Sequence, residues 1–216
     1  MYKIISSGSD GNAVLYFGNI LVDIGVPFAS LSGCIDNLSL VLLTHEHGDH
    51  LNIGTLKKLQ SVRPGVRVGC GKFLVEKLRE NGIRNIDVYK LGEGCCYGAK
   101  SGNLSVVPVK LYHDVPNFGY RLYKDVNEWH VRIFHATDTA HLFGITAKGY
   151  DLYAIEANYD EDRIYDIINE KQMRGDFAHQ RGAMNSHLSI QQAQNFVLQN
   201  AGKNYEFIRL HQSKEF

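Results

Sequence analysis

Thr44-His45-Glu46-His47-Gly48-Asp49-His50 packs three histidines and an aspartate into a few residues, directly after the apolar run Leu38-Ser39-Leu40-Val41-Leu42-Leu43. The run is short, rich in β-formers and bounded by polar residues, so it reads as a buried strand that ends where the histidines begin. In extended backbone, side chains two apart share a face. His45 and His47 can therefore converge on one point. Gly48 lets the chain turn sharply before Asp49 and His50. Adjacent side chains on a turn diverge, which suits two ligands serving a second point. A histidine-rich polar loop is the plain alternative, but the spacing is that of metal ligands.

Composition sets the frame. The chain has 216 residues, 44% of them hydrophobic. That is enough for one substantial core, and a single domain spanning 1–216 is expected. The formal net charge is zero, so no global basic signal points to nucleic acid. A local basic patch, or bound cations, could still supply positive charge. No apolar stretch approaches membrane-spanning length. Met1-Tyr2-Lys3-Ile4-Ile5-Ser6 lacks the apolar centre of a signal peptide, and a cytoplasmic protein is expected. Cys34, Cys70, Cys95 and Cys96 show no Cys-x-x-Cys spacing and read as free thiols. Oligomeric state stays open.

Moving outward from the histidines, residues 2–6 read as a strand and Ser7-Gly8-Ser9-Asp10-Gly11-Asn12 as a turn. Residues 13–17 and 20–23 form a hairpin around Gly18-Asn19. A short helix is expected over 27–37, and further helices over 49–61 and 72–81, with strands at 66–70 and 86–89. The second half repeats this order. Strands are expected at 104–109, 119–123, 131–135, 152–156 and 207–210. Helices are expected at 160–171 and 189–200, the latter opened by the capping-box pattern Ser189-x-x-Gln192. Residues 174–185, polar and glycine-containing, read as a surface loop. Two strand-rich halves with helices outside make an α/β (α+β) protein, a four-layer αββα sandwich.

A two-metal site needs six or seven protein ligands, one or more of them shared. The first cluster supplies four. Three later residues follow apolar strands directly: His113, Asp138 and His211. Each alone is a weak signal, since a strand-end histidine or aspartate is commonly a surface group.

The histidine cluster resembles the metal-binding signature of the metallo-β-lactamase fold superfamily, where His-x-His feeds one metal and Asp-His the other. The resemblance implies that His45, His47 and His113 hold one metal and Asp49, His50 and His211 a second. Asp138 would bridge the two. It also implies that Asp23, in Leu21-Val22-Asp23-Ile24-Gly25, orients a ligand by hydrogen bonding. A turn-capping aspartate is the alternative. The Ser7–Asn12 stretch, Glu156-Ala157-Asn158-Tyr159-Asp160 and Ser186-His187-Leu188-Ser189 resemble the YycJ/WalJ-like branch, which is related to the nucleases RNase Z and RNase J. In those nucleases a His-x-Ser element reaches the scissile phosphate. His187 would play that part, holding a phosphate oxygen or protonating the leaving oxygen, with Glu156 orienting it or a metal ligand. A structural histidine beside a helix cap and an ordinary strand-end carboxylate are the alternatives.

The mechanism implied is hydrolysis by a hydroxide shared between two divalent cations about 3.5–4 Å apart, with Asp49, Asp138 and His187 as the catalytic side chains. Zinc leads on imidazole-rich ligation, and the carboxylates leave manganese or iron open. A phosphodiesterase or nuclease acting on nucleic acid or a small phosphodiester comes first. Lys110, Arg121, Arg174 and Arg181 are candidate phosphate contacts. A small-molecule hydrolase of the same fold (lactonase, thioesterase or cyclic-nucleotide phosphodiesterase) is the alternative, slightly favoured by the neutral charge. A non-catalytic binding module is the third reading, and the full ligand set argues against it.

Overall fold

The computed structural model describes residues 1–98, 103–126, 129–174 and 180–213. Two six-stranded sheets lie face to face. The first contains β1 (Tyr2–Ser6), β2 (Ala13–Tyr16), β3 (Ile20–Val22), β4 (Leu40–Leu42), β5 (Arg67–Gly71) and β6 (Ile86–Tyr89), in that spatial order. β1, β2 and β3 pair antiparallel, and β3 to β6 pair parallel. The second contains β7 (Cys95–Tyr97), β8 (Leu104–Leu111), β9 (Asn117–Val126), β10 (Trp129–Ala136), β11 (Leu152–Glu156) and β12 (Glu206–Leu210), ordered β12-β11-β10-β9-β8-β7. Here β7 to β10 are antiparallel and β10 to β12 parallel. Each half thus opens with antiparallel strands and closes with parallel ones, the repetition expected from sequence.

Period-2 alternation decides which side chains meet. Ile20, Val22, Leu40 and Leu42 point inward and pack with Tyr120, Leu122, Ile133 and Ile208 of the other sheet. Leu21, Val41 and Val68 point outward under Leu56 and Leu59 of α1 (Ile53–Val62) and Leu74 and Leu78 of α2 (Lys72–Glu80). Phe134, Tyr153 and Ile155 lie under Ala193, Phe196 and Val197 of α5 (Ile190–Asn200). These three apolar layers make the αββα sandwich. The capping box at Ser189 and Gln192 is formed, which satisfies the first N–H groups of α5. Pro108 lies in β8 beyond the short stretch paired with β7, where its missing N–H breaks no ladder bond. No helix among the described residues is long and apolar enough to cross a membrane.

Four local expectations are corrected. Residues 27–37 form two 3-10 turns, Phe28–Leu31 and Ile35–Asn37, instead of one helix. α1 begins at Ile53, capped by the Asn52 side chain, so Asp49 and His50 lie on the preceding turn. β7, only three residues long, is additional. The stretch expected as a surface loop contains a helix, α4 (Gln180–Ser186), after α3 (Glu161–Met173). The intervening residues 175–179, with His179, lie outside the described residues.

Candidate metal centre

The site lies where strands of both sheets end. β4 runs into Thr44–His50, β8 into His113, β10 into Asp138, β11 ends on Glu156 and β12 runs into His211. The sheets are stitched together at this edge: the Phe118 N–H donates to Thr44 O (3.1 Å) and the Tyr120 hydroxyl to Leu43 O (2.5 Å). Asp23, Asp138 and His211 all adopt positive φ, at 61°, 54° and 48°. For residues other than glycine this is sparsely populated backbone that the surrounding structure must enforce. The chain bends sharply at each strand end and carries the side chain into the crevice.

His45, His47 and His113 form one group. Their ring centroids are 4.7, 5.3 and 5.2 Å apart pairwise, and each offers a nitrogen within 4.8 Å of the others. Asp49, His50 and His211 form a second group by the same measure. Asp138 faces both. Its Oδ2 is 2.5 Å from His50 Nε2 and 3.9 Å from His45 Nε2, while its Oδ1 is 3.3 Å from His211 Nδ1. The seven residues expected to hold metal are therefore adjacent in space; His45, His50 and Asp138, and Asp138, Glu156, His187 and His211, lie equally close together.

A surrounding set of hydrogen bonds aims them. The His50 Nδ1 is 2.6 Å from Asp23 Oδ2, and Asp23 Oδ1 accepts the Thr44 N–H at 2.9 Å. Glu156 is buried and serves several partners. Its Oε1 is 2.5 Å from His187 Nδ1 and 3.2 Å from His211 Nδ1. Its Oε2 accepts the N–H groups of Thr139 (3.0 Å) and Leu188 (3.3 Å). His187 Nδ1 also approaches Asp138 Oδ1 at 3.2 Å, and the side chain keeps 18% exposure. His113 Nδ1 is bonded to Ser186 O at the end of α4 (3.1 Å).

Charge explains why the cluster suits a cation. Asp23, Asp138 and Glu156 are buried, as are His45, His50 and His211. Burial, reinforced by the neighbouring His50, pushes His45 down to about 2; burial also lowers His113. Both stay neutral with a lone pair to offer. Burial opposes charge on His50, but Asp138 and Asp23 outweigh it and hold the imidazole up at about 10. Burial is likewise outweighed at His187 by Asp138 and Glu156, and at His211 by Asp49 and Glu156, each reaching about 10. These protons balance the carboxylates, and a divalent cation is the natural replacement for those on ligating nitrogens. The buried His45 Nε2 has no hydrogen-bond partner, its nearest carboxylate oxygen being Asp138 Oδ2 at 3.9 Å. Such an atom is costly unless something coordinates it. The set of imidazole nitrogens and carboxylate oxygens fits a divalent metal.

Several residues of the site escaped the sequence reading. Asn12, read as part of a turn and of the Ser7–Asn12 motif but given no role, is buried, and its Nδ2 donates to Asp49 O and Oδ2, each at 3.2 Å, and lies 2.8 Å from His50 Nε2. Gly25 packs against Asp49 so closely that a Cβ would fall 1.7 Å from the Asp49 carbonyl oxygen. Asn158 donates to His211 O (2.9 Å), and Ser7 Oγ accepts the His211 N–H (2.7 Å). Asp114, 62% exposed, stands 3.0 Å from His113 Nε2 and 3.6 Å from His47 Nε2. Ser7, Asn12, Gly25 and Asn158 each stand in a motif stretch singled out from the sequence, without a role of their own. Of the candidate phosphate contacts, Arg121 donates to Thr146 O (2.9 Å) and Lys110 lies over the Tyr112 ring. Arg174 pairs with Glu170 on α3, and the Arg181 side chain lies outside the described residues. His130 is an exposed partner of Asp125, whereas His135 is buried against Tyr16 between the sheets.

Residues 19–203 match the family described as "Beta-lactamase superfamily domain". Among solved structures, the metallo-beta-lactamase fold protein YhfI from Bacillus subtilis superposes with a TM-score of 0.73 at 16% identity, covering 98% of this chain and 85% of that one. The short form of human tRNase Z superposes with a TM-score of 0.64 at 16% identity, covering 99% and 93%. No curated protein matches by sequence.

Proposed function

The chain belongs to the beta-lactamase superfamily, and from that premise we propose that this metallo-β-lactamase-fold hydrolase is a phosphodiesterase acting on nucleic acid, in the YycJ/WalJ-like branch. His45, His47 and His113 would hold one divalent ion and Asp49, His50 and His211 a second, with Asp138 between them. Zinc fits the imidazole-rich set best. Bound there, the ions supply Lewis acidity and a water acidic enough to be deprotonated near neutral pH.

The protein's own groups do the remaining work. Asp23 fixes the ring of His50 by accepting from Nδ1, which leaves Nε2 to face Asp138. Asn12 steadies the Asp49 carboxylate by donating to Oδ2, the oxygen that also faces His211. Glu156 and Asp138 grip His187 through Nδ1.

The observation that carries the phosphodiester reading is His187. Its Nδ1 is committed to two carboxylates, its ring lies between His113 and His211 at centroid distances of 5.4 and 5.2 Å, and it retains access to solvent. With Nδ1 held by the carboxylates, Nε2 lies on the far side of the ring from them. Carrying a proton, Nε2 would suit a phosphoryl oxygen, or a leaving oxygen that takes the proton as the P–O bond breaks. The fold shared with human tRNase Z supports the same chemistry.

The test is hydrolysis of bis-p-nitrophenyl phosphate and of DNA and RNA oligonucleotides by the metal-reconstituted protein, beside a lactone and thioester panel. His187→Ala is expected to retain metal and lose phosphodiester turnover. Efficient lactone or thioester hydrolysis with no phosphodiester turnover would replace this reading by that of a small-molecule hydrolase.

A further inference from the structure

The strand that delivers His113 also delivers Tyr112, and the loop after Asp138 carries His141 and Phe143. These three side chains form a ladder. The Tyr112 and His141 rings have centroids 4.1 Å apart at 32°, and those of His141 and Phe143 are 4.8 Å apart at 23°. The ladder ends on Phe143, which is 79% exposed. A single exposed phenylalanine is unremarkable. A ring stacked in register with two others, offering its outer face to water, is a platform for another ring.

The ladder is tied to the metal centre by main-chain bonds. The Ala140 N–H donates to Tyr112 O (2.7 Å), and the Tyr112 N–H to Thr139 Oγ1 (3.0 Å). The Thr139 hydroxyl donates to His141 O (2.9 Å), and the Thr139 N–H to Glu156 Oε2 (3.0 Å). That carboxylate is the one gripping His187. The spacing between the ladder and His187 is therefore set by the fold.

A cleft of about 340 Å³ adjoins the ladder, bounded by His141 and Phe143 on one side and Leu188, Asn195, Phe196 and Gln199 on the other. This is the size of a small-ligand site. Leu188 and Phe196 give it an apolar floor, Asn195 and Gln199 contribute exposed amides, and no acidic residue among the described residues lines it. Cations surround the region. Lys110 lies 5.3 Å over Tyr112, Arg121 is bonded to Thr146 O, and Lys148 is bonded to Gln199 O.

We propose that the Tyr112–His141–Phe143 ladder and its cleft bind unpaired nucleobases of a single-stranded nucleic acid whose phosphate lies at the metal centre. The inference rests on the phosphodiesterase reading for the chemistry at that centre. Aromatic faces receive bases without regard to sequence, amides meet their edges, and lysine and arginine meet the flanking phosphates. Bases inside a duplex are already stacked and cannot use the ladder.

The experiment compares metal-loaded wild type, Phe143→Ala and Phe143→Trp by fluorescence anisotropy with an end-labelled single-stranded oligonucleotide and with its duplex, both carrying hydrolysis-resistant phosphorothioate linkages so that nothing is cleaved. Wild type is expected to bind the single strand more tightly than the duplex. Phe143→Ala should weaken single-strand binding about 5- to 150-fold, and Phe143→Trp should restore it. Metal content and melting temperature should match wild type in both variants, since the side chain is exposed. Unchanged single-strand affinity in Phe143→Ala, or duplex bound as tightly as single strand, overturns the proposal. Loss of binding in Phe143→Ala, in a metal-loaded protein that hydrolyses no phosphodiester, would overturn the phosphodiesterase reading and leave the nucleobase site standing.

Discussion

Gly25 lies against Asp49 with no room for a side chain: a Cβ there would be 1.7 Å from the Asp49 carbonyl oxygen and 2.6 Å from the His50 nitrogen. Both contacts are with backbone, so no rotamer change relieves them. Gly25→Ala must push the Gly48–His50 turn outward and separate Asp49 and His50 from His211. The expected result is loss of about one of two bound metals, with destabilisation of about 1–3 kcal/mol. Metal analysis beside urea unfolding reads both, and a variant with full metal content would contradict the placement of Asp49 and His50 in the second group.

Asp23 stands behind two candidate ligands: it accepts from His50 Nδ1, and from the Thr44 hydroxyl that lies 2.9 Å from His45 Nδ1. Asp23→Asn keeps the shape but offers an amide where the imidazole needs an acceptor. Metal affinity should fall about 10- to 100-fold, measured by competition with a chromophoric chelator. Affinity equal to wild type would reduce Asp23 to a support for the Thr44 backbone.

Glu156→Gln separates proton handling from metal holding. Glu156 accepts at His187 and at the Thr139 N–H, so the amide keeps part of the scaffold while weakening the grip on His187. Phosphodiester turnover should fall about 10- to 100-fold with metal content nearly unchanged. A parallel loss of both would assign Glu156 to the metal ligands themselves.

His135 gives a pH signature of its own. Burial pushes it down to about 3, and its Nδ1 is bonded to the Tyr16 hydroxyl between the sheets. Unfolded, a histidine takes its proton near about 6.5. Between those values the unfolded chain binds more protons, so stability falls as pH falls, by up to about 1.4 kcal/mol per pH unit from this group. Denaturant midpoints from pH 7 down to pH 5 should drop more steeply in wild type than in His135→Gln. Parallel slopes would mean that His135 is protonated within the fold.

Removal of metal should lower the melting temperature, because a ligand held at a hundred times its Kd stabilises by about 2.7 kcal/mol. Calorimetry with and without chelator tests this, and identical transitions would argue against a metal coupled to folding.

What could be read from the chain follows its physics. His45 and His47 announce themselves by their spacing just after the apolar run that forms β4, and His113, Asp138 and His211 because each follows an apolar strand. The sheets and α5 are legible for the same reason: period and capping are local properties. Asn12 and Gly25 act on residues far along the chain, so no local pattern reveals them. The 3-10 turns replace a helix over 27–37 because Ser30, Ser32 and Gly33 interrupt its apolar spacing. α4 escaped notice because Gln180–Ser186 has little apolar pattern, yet its last carbonyl holds His113.

Donors from β4, β8, β10 and β12 meet at one point, and the His211 N–H returns to Ser7 at the start of the sandwich. Closing so many long loops is slow. On the ribosome, the second group of donors stays incomplete until β12 has emerged and docked. Metal capture is then a completion signal. A chain with metal in the second group would have β12 in place, while one stalled earlier would keep unpaired strand edges exposed.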